Sequence, residues 1–287
     1  MIAPKTFDTD TQSIAFEVTG NGAPLLLLHG FPQTRAMWRP LVPGLSERFT
    51  VVCADLRGYG DSSKPEAMPD MSFRHMANDM HALMQHLGHA RFHIAGHDRG
   101  GRVAHRLALD HPESVATLTV MDIVPIEHLL TNLTTEIAKA YYHWVFLAQP
   151  SPFPETMIGH DPDAYFERCL LGFGKASLTD FHPDLLAIYR ESWRNPDCIR
   201  AMCNDYRAAL EVDWDHDKAD LSHRVACPAL VLYGQDGAMA HLMDVPATWK
   251  DRLANMHHDV IEGGHFFPDQ SPEATQNALL TFLTEHS

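Results

Sequence analysis

Cysteine and basic residues are both scarce in this sequence of 287 residues. Its five cysteines are odd in number and scattered, with no CxxC pair and no Cys/His cluster at metal-ligand spacing, so we expect free thiols rather than a disulfide framework. The 22 Lys and Arg residues are outnumbered by 37 Asp and Glu residues, which leaves a formal net charge of -15. This charge argues against nucleic acid and anionic membrane surfaces as partners, because both repel an acidic protein.

Long hydrophobic runs and a basic-then-apolar leader are also missing. The first residues, MIAPKTFDTDTQS, do not have a signal pattern, and the longest apolar runs, such as residues 24–28, are too short to span a bilayer. We therefore expect a cytoplasmic protein. The 20 histidines include no HExxH or similarly spaced set, so the sequence predicts neither a metal site nor a cofactor.

Short apolar runs rich in β-forming residues alternate with helical stretches along most of the chain. The runs cover residues 14–18, 25–28, 50–54, 92–95, 117–121, 229–233 and 260–261. Continuous apolar strands separated by helices indicate a parallel sheet that is buried on both faces. Residues 20–22, Gly-Asn-Gly, predict the turn of an early hairpin, and the pair His257-His258 precedes the last predicted strand.

The pattern changes between about Glu127 and His216, where helical, aromatic and proline-punctuated segments replace the strand-like runs. This stretch lies between two predicted sheet strands, so we interpret it as a helical insertion above the carboxyl edge of the sheet. The chain is long enough for one α/β domain with such an insertion. We therefore predict a core domain of residues 1–126 and 216–287 and a helical cap domain of residues 127–215.

Residues 92–102, FHIAGHDRGGR, form an apolar strand, a G-x-D-x-G turn and the start of a helix. This is the nucleophile-elbow pattern of α/β hydrolases, with Asp98 where esterases and lipases have serine. Gly96 and Gly100 are required because the sharp turn brings backbone segments close together. A carboxylate is a poor acyl-transfer nucleophile but can displace a leaving group from saturated carbon, leaving an ester on the enzyme.

Two further segments match the positions that this elbow requires. Residues 261–266, IEGGHF, place His265 directly after the last strand, where the fold has its base. Residues 29–32, HGFP, follow the strand 25–28 and predict an oxyanion hole made by the backbone amides of Phe31 and Arg99.

Two aspartates compete for the role of the acid that orients His265. Asp122 follows the strand before the predicted cap, and Asp236 follows the strand after it, where many serine hydrolases have their acid. Both strand ends can reach the histidine in this architecture, so position alone leaves the choice open. The losing aspartate would cap a loop through nearby backbone amides.

The sequence resembles the haloacetate dehalogenase family, which cleaves fluoroacetate, and it is close to epoxide hydrolases, which share the motifs HGFP and DLRGYG. The resemblance extends over nearly the whole chain through the segments HGFPQTRAMW (29–38), VVCADLRGYGDSSKP (51–65), GHDRGGRVAHRLALDHPE (96–113), VMDIVP (120–125), HWVFLAQP (143–150), NDYRAA (204–209) and EGGHFFPDQSP (262–272). The combination of GHDRGGR, MDIVP and HW is its most specific part. It implies an α/β-hydrolase fold with a mostly parallel eight-stranded sheet, helices on both faces and an inserted helical cap.

The resemblance also implies roles for individual residues. Asp98 would be the nucleophile, His265 the base and Asp122, rather than Asp236, the acid. The other implied roles are substrate-carboxylate binding by Arg99 and Arg102, halide binding by His143, Trp144 and Tyr206, and a substrate pocket with Tyr141 and Phe173. The i to i+3 spacing of the two arginines is consistent with this, because it places them on one helix face. The implied partners are a small halogenated carboxylate and a second copy of the chain.

Phe173 departs from the tryptophan that we expect in this family, so we expect 2-halopropanoates or larger acids to be admitted. Two alternatives stay open. An epoxide hydrolase uses the same Asp, His and Asp set with cap tyrosines, such as Tyr206 with Tyr141 or Tyr142, but has no use for paired arginines. A hydrolase-fold binding protein without catalysis would not need the intact Asp98, His265 and Asp122.

Overall fold

The computed structural model describes residues 4–9, 11–172 and 176–286. Its strands form one sheet of eight in the order β1-β2-β4-β3-β5-β6-β7-β8. The strands are β1 Lys5–Asp8, β2 Ser13–Thr19, β3 Ala23–Leu28, β4 Phe49–Ala54, β5 Phe92–His97, β6 Val115–Met121, β7 Val225–Gly234 and β8 Leu253–Ile261. β2 pairs antiparallel with β1 and β4, and the pairs from β4 through β8 are parallel.

Helices flank this sheet. Those before β6 are α1 Val42–Leu45, α2 Phe73–His86 and α3 Arg99–Asp110. Those between β6 and β7 are α4 Ile126–Thr131, α5 Thr135–Ala140, α6 Tyr142–Leu147, α7 Phe153–Gly159, α8 Pro162–Leu171, α9 Pro183–Trp193, α10 Pro196–Ala208 and α11 Trp214–Ala219, with a π-helical turn at Ala209–Asp213. Those after β7 are α12 Ala238–Leu242, α13 Val245–Trp249, α14 Phe267–Gln270 and α15 Pro272–Glu285.

The burial of each strand explains whether it can be predicted from the sequence. Residues 25–28 of β3 are fully buried, as expected for a central strand covered on both faces. All seven predicted runs lie inside observed strands, which confirms the predicted sheet. β1 was not predicted, because it is a largely exposed edge strand with no apolar pattern. β8 is also an edge strand and mostly exposed, and it begins at Leu253, so His257 and His258 lie within it rather than before it.

The predicted early hairpin is wrong. β2 and β3 are consecutive along the chain, but β4 lies between them and pairs with both. The Gly20–Gly22 segment turns over the start of β4, where the Gly22 amide donates to Thr50 Oγ1 at 2.9 Å. Gly20 has φ +88, and a Cβ on it would lie 2.3 Å from the Phe49 carbonyl oxygen. The glycines therefore allow close passage over a neighbouring strand rather than a two-residue hairpin.

The parallel strands bring the predicted site residues to one edge of the sheet. Asp98 directly follows β5, Asp122 follows β6, and His265 comes shortly after β8. Ligands of such sheets bind outside the carboxyl ends of the strands. The described elements between β6 and β7 are all helical, and their residues His143 and Tyr206 line one cavity with Asp98. We propose that this helical region is the cap, with the boundaries 127–215 predicted above.

Candidate active site

Asp98 lies on a strained turn between β5 and α3. Its backbone has φ 47 and ψ -116, a region that residues with a side chain seldom adopt. A Cβ on Gly96 would lie 2.2 Å from the Gly100 carbonyl oxygen, and one on Gly100 would lie 2.4 Å from the Leu28 carbonyl oxygen. Both positions therefore exclude side chains, as predicted for the elbow.

The Asp98 carboxylate is buried and has a donor on one side and an imidazole on the other. The Phe31 amide donates to its Oδ1 at 3.0 Å, and its Oδ2 lies 3.8 Å from His265 Nε2. Burial alone would raise the pKa of Asp98, but the charges of His265 and Arg99 lower it to about 2. The group is therefore a carboxylate at neutral pH, which a nucleophile requires.

His265 is oriented by Asp122. Its Nδ1 lies 2.6 Å from Asp122 Oδ2, and because a carboxylate only accepts, the imidazole donates from Nδ1 and leaves the Nε2 lone pair toward Asp98. Burial acts to lower the pKa of His265, but the hydrogen bond and the charge of Asp122 raise it above the ordinary value. Asp122 also has a positive φ of 50, and its Oδ1 accepts from the Gly234 amide at 2.9 Å.

Asp236, the competing acid, is exposed. The residue lines the cavity wall, and its backbone amide donates to the Gly263 carbonyl at 2.8 Å. Of the two competing aspartates, Asp122 is the one that accepts a hydrogen bond from His265. The structure thus distinguishes two strand-end aspartates that sequence position alone could not.

A cavity of about 340 Å³ opens in front of Asp98. Of the predicted site residues, Phe31, Asp98, Tyr141, His143, Tyr206 and His265 line it. Arg99, Arg102 and Trp144 are not among its lining within the described residues, and Phe173 lies outside them. Three acidic residues, Asp180, Asp236 and Glu262, also line this cavity.

The predicted halide ligands form one aromatic group with Phe31. Tyr206 packs edge-to-face against His143, Trp144 and Phe31, with ring centroids 5.7, 5.4 and 5.1 Å apart. Burial lowers the pKa of His143 to about 3 and raises that of Tyr206 well above its ordinary value, so both are neutral hydrogen-bond donors. The buried Tyr206 hydroxyl has no partner among the described residues.

The two predicted arginines both contact the indole of Trp144, with their guanidinium carbons 5.2 Å (Arg99) and 4.8 Å (Arg102) from the ring centroid. Arg102 Nη1 donates to the Val124 carbonyl at 3.0 Å. Burial and the charge of Arg99 lower the pKa of Arg102 to about 10, so it stays cationic at neutral pH. Arg102 Nε and Arg99 Nη1 are buried without a hydrogen-bond partner in the described part of the chain.

Two sets of residues that hold Arg99 and His265 in place were not predicted from the sequence. Asp205 forms an ion pair with Arg99 and accepts a hydrogen bond of 2.5 Å from Tyr59. The segments NDYRAA and DLRGYG contain both residues, which is the signal that could have identified them. His97 Nε2 donates to the His265 carbonyl at 2.7 Å and so holds the loop of that histidine in place.

Across the described ranges, no cluster of three or more His, Cys, Asp or Glu side chains could hold a metal ion. In those same ranges, no helix has the length and apolarity to cross a membrane.

A carboxylate on a strained elbow, faced by an Asp-oriented histidine at the carboxyl edge of this sheet, defines a hydrolase of the α/β class. The profile of the α/β hydrolase fold family matches residues 23–272, and the chain belongs to that family. It is 48% identical to the fluoroacetate dehalogenase of Burkholderia sp. over 97% of this chain and 92% of that protein. It is 31% identical to the soluble epoxide hydrolase of Corynebacterium sp. (strain C12), over 93% and 92% of the two chains.

Among solved structures, an α/β hydrolase from Nostoc sp. PCC 7120 superposes with a TM-score of 0.96 at 45% identity, with 98% of each chain covered. The resemblance stated from the motifs is thereby confirmed, and so is the α/β-hydrolase fold.

Proposed function

We propose that this hydrolase cleaves the carbon–halogen bond of haloacetates through an aspartyl ester at Asp98, releasing glycolate and halide. The observation that carries the proposal is a buried elbow carboxylate beside cationic and neutral donors that have no hydrogen-bond partner among the described residues. Arg99 Nη1, Arg102 Nε and the Tyr206 hydroxyl are such donors. Buried polar groups are normally satisfied, so unpartnered donors beside a nucleophile point to an anionic ligand. The 48% identity to a fluoroacetate dehalogenase supports the same chemistry.

The first step is a displacement at saturated carbon. The two guanidinium groups hold the substrate carboxylate so that an Asp98 oxygen faces the α-carbon. A bond forms between that oxygen and the α-carbon, and the carbon–halogen bond breaks with its electron pair leaving on the halide. His143, Trp144 and Tyr206 donate hydrogen bonds to the departing ion in a site that excludes water.

The second step is hydrolysis of the ester. His265 Nε2 takes a proton from water, and the resulting hydroxide attacks the Asp98 carbonyl carbon. The Phe31 and Arg99 amides stabilise the tetrahedral oxyanion; Phe31 already donates to Asp98, and Arg99 begins α3, where helix amides lack intrahelical partners. The intermediate collapses, glycolate leaves with the proton from His265, and the Asp98 carboxylic acid that remains releases its proton to water, which restores the carboxylate.

Ester formation also lowers the pKa of the base, His265. The charge of Asp98 is one of the interactions that raise the pKa of His265. Esterification removes that charge, so the pKa of His265 falls at the step where a neutral imidazole is required.

The cavity suggests a wider substrate range than haloacetates alone. A haloacetate has five non-hydrogen atoms and fills roughly 150 Å³ if each takes the volume of a water molecule. The cavity has about 340 Å³, enough for an additional substituent on the α-carbon. We therefore propose 2-halopropanoates and larger 2-halo acids as further substrates.

The test of the proposed function is isotopic. A single turnover of chloroacetate in oxygen-18 water should leave the label in the Asp98 carboxylate and none in glycolate. Replacing His265 with Asn should trap the ester as a mass increase on the Asp98 peptide. Label in single-turnover glycolate with none on the protein would mean that water attacks the α-carbon directly, and the covalent scheme would then be wrong.

An epoxide hydrolase is the second candidate, and the 31% identity to a soluble epoxide hydrolase favours it. Tyr141 and Tyr206 both line the cavity and could protonate an epoxide oxygen. Release of halide from fluoroacetate, chloroacetate and 2-chloropropanoate, with no hydrolysis of styrene oxide, would exclude this candidate. Absence of both activities would indicate a binding protein that has lost catalysis. Assembly as a homodimer is a further proposal that rests on the resemblance.

A further inference from the structure

The guanidinium group of Arg99 is enclosed by the protein on nearly every side. Asp205, on α10, accepts from Arg99 Nε at 2.9 Å and also from Nη2. Nη2 donates in addition to the Asp205 carbonyl at 3.0 Å, and the Tyr59 hydroxyl donates to the same carboxylate at 2.5 Å. The ion pair has no solvent exposure on either side chain. Asp205 therefore fixes two of the three nitrogens of Arg99.

Aromatic rings pack against the same guanidinium. Its carbon lies 4.5 Å from the centroid of Phe73 and 4.3 Å from that of Tyr206. These contacts favour a planar cation and resist its rotation. Nη1 is the nitrogen left without a partner in the described residues. The guanidinium thus presents one unoccupied edge in a fixed orientation.

The two arginines also differ in how their positive charges are compensated. Arg99 is offset by the Asp205 carboxylate, whereas Arg102 bonds a neutral carbonyl, that of Val124. A haloacetate carries one negative charge, but turnover yields two anions, glycolate and halide. Two uncompensated cations in a buried site would be costly and would retain these products.

We propose that Asp205 is a positioning residue, which aims Arg99 Nη1 at the substrate carboxylate and offsets the charge of Arg99, so that the two arginines together with Asp205 carry one net positive charge. This assignment rests on the proposed function of the same site. Asp205 does not touch the substrate in this arrangement, and its effect passes through Arg99.

The test is Asp205→Asn, measured on the full-length protein by acetate binding in a calorimeter and by chloroacetate turnover. The variant exposes an uncompensated charge on Arg99, so acetate should bind on the order of tenfold more tightly. The looser guanidinium should at the same time lower kcat by about ten- to a hundredfold. Tighter anion binding together with slower turnover is a result that a loss of structure alone does not produce.

Asp79→Asn is the matched control. Asp79 is also a buried carboxylate held through both oxygens by an arginine, with Arg57 Nε and Nη2 each donating at 2.6 Å, but Arg57 is not one of the proposed substrate-binding residues. This variant should lose comparable stability while its acetate affinity stays at the wild-type value. If Asp205→Asn matches the control, with acetate binding unchanged or weaker, the positioning role is excluded.

A second variant covers the case in which Asp205→Asn does not fold. Asp205→Glu retains the charge but shifts the guanidinium by a methylene, so kcat should fall while acetate affinity stays within about twofold of wild type. An unchanged kcat would overturn the proposal. If the wild-type protein releases no halide from any haloacetate, the proposed function fails, and the acetate titration still reports whether Asp205 offsets Arg99.

Discussion

Asp122 and Asp236 end neighbouring strands, yet their side chains have different partners. Asp122 contacts His265 Nδ1 at 2.6 Å, while Asp236 is exposed on the cavity wall. We predict that Asp122→Asn lowers the rate of ester hydrolysis by roughly 10³- to 10⁴-fold, because an asparagine favours the wrong imidazole tautomer. Asp236→Asn should keep most of the activity. If the Asp236 variant is the inactive one, the acid is assigned to the wrong residue.

The same change should alter the pH profile. His265 must be neutral to activate water, so wild-type ester hydrolysis should be lost as the pH falls through the pKa of His265, which the hydrogen bond and charge of Asp122 still raise after the charge of Asp98 is gone. Asp122→Asn removes the main interactions that raise this pKa, so the acidic limb of its residual activity should move to lower pH. A pH series of single-turnover deacylation rates measures both effects.

Trp144 tests the halide site, because its indole contacts both Arg99 and Arg102 and packs against Tyr206. Fluoride is a poor leaving group and needs preorganised donors, whereas chloride needs fewer. Trp144→Phe keeps an aromatic ring and removes one N–H, a bond of about 1.5–3 kcal/mol to a charged acceptor. We predict a ten- to over a hundredfold loss of fluoroacetate turnover and a small loss with chloroacetate.

Trp193→Phe is the control for this substitution. Trp193 is another buried tryptophan of the helical region, and its indole N–H donates to Asp163 at 2.8 Å rather than toward the cavity. Trp193→Phe should reduce the turnover of fluoroacetate and chloroacetate equally or leave both unchanged. The same lack of discrimination in Trp144→Phe would leave the halide site unsupported.

At the scale of elements, the elbow depends on the close approach of β3 and α3. A Cβ on Gly100 would lie 2.4 and 2.5 Å from the carbonyl oxygens of Leu28 and His29, and neither strand nor helix can move away cheaply. We predict that Gly100→Ala lowers the free energy of unfolding by at least about 1–3 kcal/mol, the usual cost of overpacking. Urea denaturation measures the change.

Gly159→Ala provides the opposite case. Gly159 ends α7, and a Cβ there would have no heavy atom within 4 Å. Alanine should be neutral or stabilise by up to about 1 kcal/mol, since it reduces the entropy of the unfolded chain. Equal effects of the two substitutions would show that space at the elbow is not limiting.

A second element contact joins α14, α9 and the loop after β3 through Asp269, Tyr189 and Gln33. The Gln33 amide donates to Asp269 at 2.7 Å and the Tyr189 hydroxyl donates at 3.2 Å. Burial raises the pKa of Asp269 to about 7 despite these bonds. Between about pH 4 and pH 7, the folded protein therefore keeps a proton on Asp269. The unfolded chain, in which the pKa of this group is near 3.8, has released that proton.

The sign of the resulting pH dependence follows. The contribution of Asp269 to stability is full below about pH 4 and is lost as the pH rises toward 7. At 1.36 kcal/mol per pKa unit, the loss can reach about 4 kcal/mol. We predict that Asp269→Asn flattens the unfolding free energy over this range, as measured by urea denaturation at several pH values. An identical slope in wild type and variant would assign the dependence to other groups.

At the scale of the whole molecule, the protein and its proposed substrate carry charges of the same sign. The net charge is -15, and Asp180, Asp236 and Glu262 face the cavity. Salt screens repulsion over about 10 Å at 0.1 M. We therefore predict that kcat/KM for chloroacetate rises with ionic strength, in contrast to steered association of opposite charges. Glu262→Gln should reduce this dependence, and a fall of kcat/KM with salt would show that the arginines dominate the field.

Much of the fold followed from local patterns. The buried strands reveal themselves as apolar runs such as residues 25–28, because a strand covered on both faces must be apolar throughout. The exposed edge strands β1 and most of β8 carry no such pattern. The order of the sheet was also hidden, since the turn at residues 20–22 looks like a hairpin while its flanking strands are separated by β4.

The sequence by itself determined the identity of the elbow, because Gly96 and Gly100 have no room for a side chain and together mark Asp98 as the residue at the turn. It also placed His265 at the end of a strand. Only the tertiary structure decided that His265 contacts Asp122, that Asp236 is exposed, and that Arg99 is held by Asp205. Local pattern is set by each segment's own burial, whereas these partners are 143 and 106 residues apart and meet only when the strands and helices pack.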